Sequence, residues 1–235
     1  FTLIELLVVI SIIAVLTMIA MPTLATAKEL ARSAYCLGNL RVQSVATSMY
    51  QSDHGGLFWP YRRQDWPTVG TDSFFWGTAT HPVEVSAGWY MHYLQYDLKT
   101  LWCPEMPEGS YEYQAKVKEP TTTYGYNAFY LDNSLSDDGL KNIEDIPRPD
   151  DLFVMGDTAE IWTAFKVAIV RNSTYMEPVC GNWTLRPTNH FRHRGLTNVF
   201  CADGHAQSYG PSGWTIDNDH NLGFVGTSND PHYAQ

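Results

Sequence analysis

The sequence predicts an α+β fold, with one long N-terminal α-helix packed against a small antiparallel β-sheet that carries long loops. Three observations predict it. The first 21 residues, FTLIELLVVISIIAVLTMIAM, hold no charge except Glu5, and apolar residues then continue at near-helical spacing. After Pro120 the pattern changes to runs of β-branched and aromatic residues. Near the end, Asp203-Gly204 stands between two such runs as a hairpin turn. Of 235 residues, about 55 belong to the helix, and the remaining ~180 suffice for one globular domain with its own core.

The helix is expected from about residue 2 to about 52. From Leu6 to Ala27 no side chain is charged. An apolar run near 20 residues matches the roughly 30 Å hydrocarbon thickness of a bilayer at about 1.5 Å per residue. A secretory signal peptide is the competing reading. Against it, no basic residues precede the run, the run starts at residue 2, and no A-x-A-like site follows. A carboxylate in lipid costs about 2.5–3.5 kcal/mol on insertion scales for charges at a helix centre, so Glu5 needs a compensating partner. The α-amine of Phe1 suits it, being cationic below its pKa of about 7.7–8.0. Within one chain the two groups lie about a helical turn apart. Between two chains the same pair would set axial register, as a single buried polar group does in coiled coils.

Beyond the apolar segment, Leu30, Ala34, Leu37, Leu40, Val45 and Met49 recur at near-helical spacing among Lys28, Glu29, Arg32, Arg41 and Gln43. Pro22 removes one backbone donor and is expected to kink or loosen the helix. Asp53-His54-Gly55-Gly56 supplies the stop. The chain therefore divides into a helix, residues 1–53 (apolar over 1–27), and a head, residues 54–235. Two-thirds of the helix has no partner in its own chain, so its apolar surface must meet lipid or other copies of itself.

From Leu57 to about Pro120 the head is irregular and rich in Trp, Tyr, Pro and Gly, with a short helix expected over Ser86 to Leu98. Thr121 to Tyr130 alternates as a strand. Asp151 to Ala159 reads as a central strand, and Trp162 to Val170 as a further strand or a short helix. Asn198 to Ala202 and His205 to Tyr209 flank Asp203-Gly204 as a hairpin with a type I′ turn. The tail from Gly210 is polar and turn-rich.

A resemblance enters with the first ten residues. Phe1-Thr2-Leu3-Ile4-Glu5-Leu6-Leu7-Val8-Val9-Ile10 resembles the mature N-terminus of type IV pilins and type II secretion pseudopilins. The resemblance implies cleavage after a glycine by a prepilin peptidase, N-methylation of Phe1, and an intersubunit role for Glu5 in assembly. It also implies loss of helicity just before Pro22 in filaments, although the glycine that many members carry near position 14 is Ala14 here. The implied partners are further copies of the chain in a helical homopolymer and an inner-membrane pilus or type II secretion assembly machinery. The implied location is the inner membrane for the precursor, then an extracellular filament on the cell surface. A second resemblance covers His193, nine intervening residues and Asp203-Gly204, within HRGLTNVFCADGHA. It is similar to the H-X9-DG signature of a C-terminal domain of pilin-like proteins and is expected to be structural, with His193 hydrogen-bonded within the sheet.

Four cysteines, Cys36, Cys103, Cys180 and Cys201, are an even number in a chain whose head is expected to be translocated. Disulfides are then expected, with three connectivities open. Cys36-Leu37-Gly38-Asn39-Leu40 and Cys103-Pro104 resemble elements of one pilin-like subfamily, which implies a Cys36–Cys103 disulfide and leaves a Cys180–Cys201 pair open. The implied bridge spans about 66 intervening residues and would contribute roughly 4 kcal/mol in the chain-entropy model. Two free buried thiols are the alternative.

No CxxC spacing points to a zinc ribbon. His190, His193, His205 and Asp203 are a weak candidate zinc set, since no HExxH accompanies them. Asp217, Asp219 and Asn221 alternate like the start of a calcium loop, without its glycine position or its twelfth-position Glu. The resemblance to pseudopilins adds calcium in C-terminal loops as an expectation. No other cofactor is called for. The net charge of −10 argues against nucleic acid as a partner, because phosphate binding needs a basic footprint. GxSxG, P-loop and dinucleotide fingerprints are missing, so no enzyme activity is expected. Asn172-Ser173-Thr174 and Asn182-Trp183-Thr184 are glycosylation sequons. The 8 Trp, 14 Tyr and 10 Phe would serve as core and loop anchors, or bind glycans and neighbouring subunits. The expected function is therefore a structural subunit that polymerises through its apolar helix. The alternatives are a secretion pseudopilin that pushes cargo and a membrane-tethered glycan-binding module.

Overall fold

The computed structural model describes residues 2–63, 73–78, 82–106, 122–133, 139–164, 167–176, 187–212, 217, 219–226 and 233. Its longest element, α1, spans Leu3–Asp53 and is not interrupted at Pro22. Thr2 opens it with a capping box. The Glu5 carboxylate accepts from the Thr2 backbone N–H at 2.7 Å, and the Thr2 hydroxyl accepts from the Glu5 N–H at 3.3 Å. At the far end Gly55 and Gly56 adopt left-handed backbones, and the Gly56 N–H returns to the Gln51 carbonyl at 2.8 Å. The stop lies where the Asp53-His54-Gly55-Gly56 run placed it.

The head is β-rich. Its central sheet combines β1 (Tyr124–Tyr126), β2 (Phe153–Asp157), β5 (Thr197–Cys201) and β6 (Ala206–Tyr209). The order is β6-β5-β2-β1, antiparallel throughout. Between β2 and β5 in sequence, β3 (Glu160–Ala164) and β4 (Val167–Arg171) form a separate hairpin. The second half of α1 lies across β5 and β6. This is the α+β arrangement expected, with a long helix on a small antiparallel sheet. Asp151 to Ala159 is central because both its faces are covered. Every residue of β2 is buried, and Gly125 faces Gly156 across the β1–β2 ladder. A Cβ on Gly156 would stand 2.3 Å from Val199 Cγ1, so close strand packing excludes a side chain there.

Several local expectations are corrected. Ser86 to Leu98 is not one helix. A 3-10 turn over Val85–Ala87 is followed by turns, and a second 3-10 turn covers Leu98–Leu101. Gln95 and Tyr96 both have positive φ, which breaks helical continuation between them. Trp162 to Val170 spans parts of both strands of the β3–β4 hairpin rather than one element. The Asp203-Gly204 hairpin is real, but its loop has three residues, not two. Gly204 donates to Cys201 O at 2.8 Å and has φ +92°, while Asp203 is not left-handed, which is the pattern of a type I turn closed by a glycine bulge. A type I′ pattern of two consecutive positive φ values occurs instead at Arg194-Gly195.

The buried stripe of α1 also differs. Of the six apolar positions that recur at near-helical spacing, only Leu40 is fully buried, and Leu30, Val45 and Met49 are more than half exposed. The covered face is Cys36, Asn39, Leu40, Gln43, Ala46, Thr47 and Tyr50. Its polar members serve the backbone of the 3-10 turn beneath. Gln43 Nε2 donates to Thr100 O at 2.6 Å, and Asn39 Nδ2 donates to Trp102 O at 3.0 Å. These bonds satisfy buried carbonyls while Cys36, Leu40, Ala46 and Tyr50 of the same face enter the core.

The aromatic residues largely build the interior. Trp59 is stacked between Tyr90 and Tyr126, with ring centroids 4.2 and 4.6 Å away, and all three are fully buried. Phe58, Phe75 and Trp76 join them.

Candidate functional site

Two features carry chemistry beyond the fold, an uncovered apolar helix and a buried polar cluster.

The helix comes first. Between Leu3 and Leu24 every large apolar side chain is 47–81% exposed. Mean hydropathy there reaches 2.8, and by length and composition the helix is long and apolar enough to cross a membrane. The apolar surface continues past Pro22 on one side of the head-bound half. Tyr35, Val42, Val45 and Met49, spaced by seven, three and four residues, are all about half exposed or more. Glu5 is committed to the Thr2 N–H within its own chain, a partner the sequence reading did not name. The Thr2-x-x-Glu5 capping-box pattern was the signal for it. Phe1 lies outside the described residues.

The cluster is assembled from four segments. Cys36 comes from the buried face of α1. Cys103 follows the Leu98–Leu101 turn, and its N–H donates to the Thr123 hydroxyl at 2.7 Å. Asp157 ends β2. Arg192 and His193 enter just before β5, where His193 and Leu196 exchange two 3.1 Å backbone bonds across Arg194-Gly195. That tight reversal points the His193 ring inward.

His193 Nε2 lies 3.1 Å from Asp157 Oδ2 and 3.4 Å from Cys103 Sγ. The sulfurs of Cys36 and Cys103 and a ring nitrogen of His193 all lie within 4.8 Å of one another. Asp157 Oδ2 also accepts the Asn198 N–H at 2.8 Å, while Arg192 Nε stands 3.6 Å from Oδ1. Arg192 Nη2 donates to the carbonyls of Thr158 and Thr123 at 2.8 and 3.1 Å. The Asp157, His193 and Arg192 side chains are almost wholly buried.

Burial and charge oppose each other here. Burial by itself raises the Asp157 pKa, but Arg192, His193 and the Asn198 N–H more than offset it and hold the carboxyl below its ordinary value. Burial lowers His193, yet Asp157 and the Cys103 contact push its pKa up to about 9. Burial drives the Cys103 thiol well above its usual range. Nearby His190 is pulled down to about 3 by burial and then by Arg192.

The other expected site residues are placed differently. Cys36, Cys103 and Cys201 are free thiols. The implied Cys36–Cys103 pair is therefore brought together but not bonded. Cys201 sits in a separate hydrophobic cluster, 3.9 Å from the Tyr209 hydroxyl, and Cys180 lies outside the described residues. His190, His193, His205 and Asp203 do not converge. Among the described residues, Cys36, Cys103 and His193 are the group at metal-ligand spacing, while His205 is bonded to Asp203 at 2.7 Å near the surface. The Asp217 carboxylate accepts from the Asp219 and His220 N–H groups at 3.0 and 3.3 Å and meets the His220 ring at 3.0 Å. Asn221 is left-handed at the end of that turn. Asn172 is fully buried and donates to Thr122 O, so its sequon is closed to modification in the folded head; Asn182 is not among the described residues.

Asp157 and Arg192 were not anticipated. The signal was a lone acid closing an apolar strand run, Phe153-Val154-Met155-Gly156-Asp157, which needs a buried partner. Comparison with known proteins found no matching family model, no matching curated protein and no matching solved structure.

Proposed function

We propose that this chain is the structural subunit of a type IV pilus-like filament, anchored first in the inner membrane and then polymerised through α1. The observation that carries this reading is the bare helix. Among the described residues nothing covers the apolar side chains from Leu3 to Leu24, and the exposed Tyr35, Val42, Val45 and Met49 extend that surface along the head. Apolar area of this extent is stable only against lipid or other protein. A helix projecting from a compact head lets successive copies stagger along an axis, and such a heterologous contact propagates without closing. The acidic heads would coat the outside. Calcium in the C-terminal loops remains part of this reading as an accessory, with Asp217, Asp219 and Asn221 as its ligands.

Glu5 has two stages in this proposal. In the single chain it caps its own helix through Thr2. On assembly, the α-amine of a neighbouring Phe1 would replace part of that contact and set register.

The test is electron microscopy of the purified full-length chain after detergent removal. Filaments support the reading, and a uniformly monomeric species would overturn it. A secretion pseudopilus shares every one of these features. Imaging whole cells separates the two, because a surface pilus projects and a periplasmic piston does not.

A further inference from the structure

Assembly through α1 makes no use of the buried cluster beneath it. We propose that Cys36 Sγ, Cys103 Sγ and His193 Nε2, with Asp157 Oδ2 as the fourth donor, form a structural zinc site that ties α1 to the head.

The geometry already approaches such a site. Zinc at about 2.3 Å from sulfur and 2.0–2.1 Å from nitrogen sets neighbouring tetrahedral donors roughly 3.5–4 Å apart. His193 Nε2 is 3.4 Å from Cys103 Sγ, and it and both sulfurs lie within 4.8 Å of one another, while Asp157 Oδ2, 3.1 Å from Nε2, stands just outside that group. Three donors are already close enough to share one ion, and Asp157 would have to swing toward the two sulfurs to complete the set. The donor set also selects the metal. Two thiolates and an imidazole favour zinc over calcium or magnesium, and the carboxylate is a third ordinary zinc ligand.

Charge points the same way. Two thiolates and one carboxylate against the Arg192 guanidinium leave two negative charges, which one divalent cation cancels at a buried site. On binding, the thiol protons and any proton on Nε2 leave to solvent, and each donor contributes a lone pair. No electron transfer is involved. Arg192 Nη1 and His193 Nδ1 make no hydrogen bond in this buried cluster. The Tyr124 hydroxyl neighbours Cys36 and would face a sulfur made anionic by zinc. A polar cleft of about 230 Å³ is lined by Arg192, His193 and Arg194 together with Glu29 and Glu105, so it opens beside one of the proposed donors.

A Cys36–Cys103 disulfide is the competing use of the same sulfurs. The two are mutually exclusive, and only zinc uses His193 and Asp157 as well.

The test is metal analysis of the full-length chain, purified in detergent without added metal, together with cobalt titration of the reduced, chelator-treated protein. Expected are about one zinc per chain, a thiolate-to-cobalt charge-transfer band with the visible absorption of a tetrahedral site, and a lower melting temperature after chelation. Cys36→Ser and Cys103→Ser should lose the band, and Cys201→Ser should keep it. Because the wild-type spectrum is read directly, a variant that fails to fold does not spare the proposal. A wild-type chain without zinc that gives no cobalt band overturns it. So does peptide mapping that finds Cys36 joined to Cys103 in protein taken from its own cells. Neither result bears on whether filaments form.

Discussion

Nε2 of His193 meets Oδ2 of Asp157 at 3.1 Å with both side chains almost wholly shielded from solvent, which joins the segment before β5 to the end of β2. Arg192, the preceding residue, approaches the other oxygen of the same carboxylate at 3.6 Å. Asp157→Ala leaves that guanidinium buried without its counter-charge, a change that costs about 3–5 kcal/mol when one partner of a buried pair is removed. Urea unfolding of the detergent-solubilised chain should show the loss. A change below about 1 kcal/mol, the ceiling for exposed pairs, would show that the carboxylate is not what holds Arg192 in place.

Stability of the metal-free chain should peak near pH 6.5. His193 has a folded pKa raised to about 9, so its contribution is full below its unfolded value and is lost as pH rises through about 9. His190 has a folded pKa lowered to about 3, so the unfolded chain gains its proton first and stability falls as pH drops below about 6.5. Asp157, held below its ordinary value, adds a further loss at more acidic pH. Melting temperature measured across pH 4–10 checks this. A monotonic rise to pH 10 would contradict the His193 assignment.

Glu5→Ala should insert into membranes yet give few filaments, because it removes both the Thr2 cap and the expected register contact. Membrane fractionation and filament yield measure the two effects separately. Normal filament yield would remove Glu5 from the assembly account.

Two substitutions on opposite faces of α1 should separate assembly from folding. Leu40→Ala opens a cavity at a fully buried position and should cost about 2–5 kcal/mol. Met49→Glu, on the exposed face, should change stability by no more than about 0.5 kcal/mol while reducing filament formation. Unimpaired filaments from Met49→Glu would restrict the interface to the segment before Pro22.

Gly156→Ala should cost about 1–3 kcal/mol by overpacking, since its Cβ would press against Val199 Cγ1 at 2.3 Å and Asn198 O at 2.9 Å. Gly195→Ala meets no atom within 4 Å, so its loss arises from its left-handed φ of +81° alone. Comparing their urea midpoints distinguishes steric crowding from backbone strain.

The sequence by itself determined what depends on nearest neighbours along the chain. The long helix, its glycine stop after Asp53, the β2 strand and the Asp203-Gly204 reversal are all local patterns of periodicity and turn chemistry, and each appears close to its expected bounds. So does the uncovered apolar segment, because no nearby residue supplies a complement to it. Tertiary structure decided what depends on distant partners. The inward face of α1 joins the apolar Cys36, Leu40, Ala46 and Tyr50 to Asn39 and Gln43, whose amides serve the carbonyls of Trp102 and Thr100, and those partners lie far away in the sequence. The meeting of Cys36, Cys103, Asp157 and His193 required four segments to converge. Buried charges find partners by three-dimensional proximity, and no periodicity in one segment encodes the position of another.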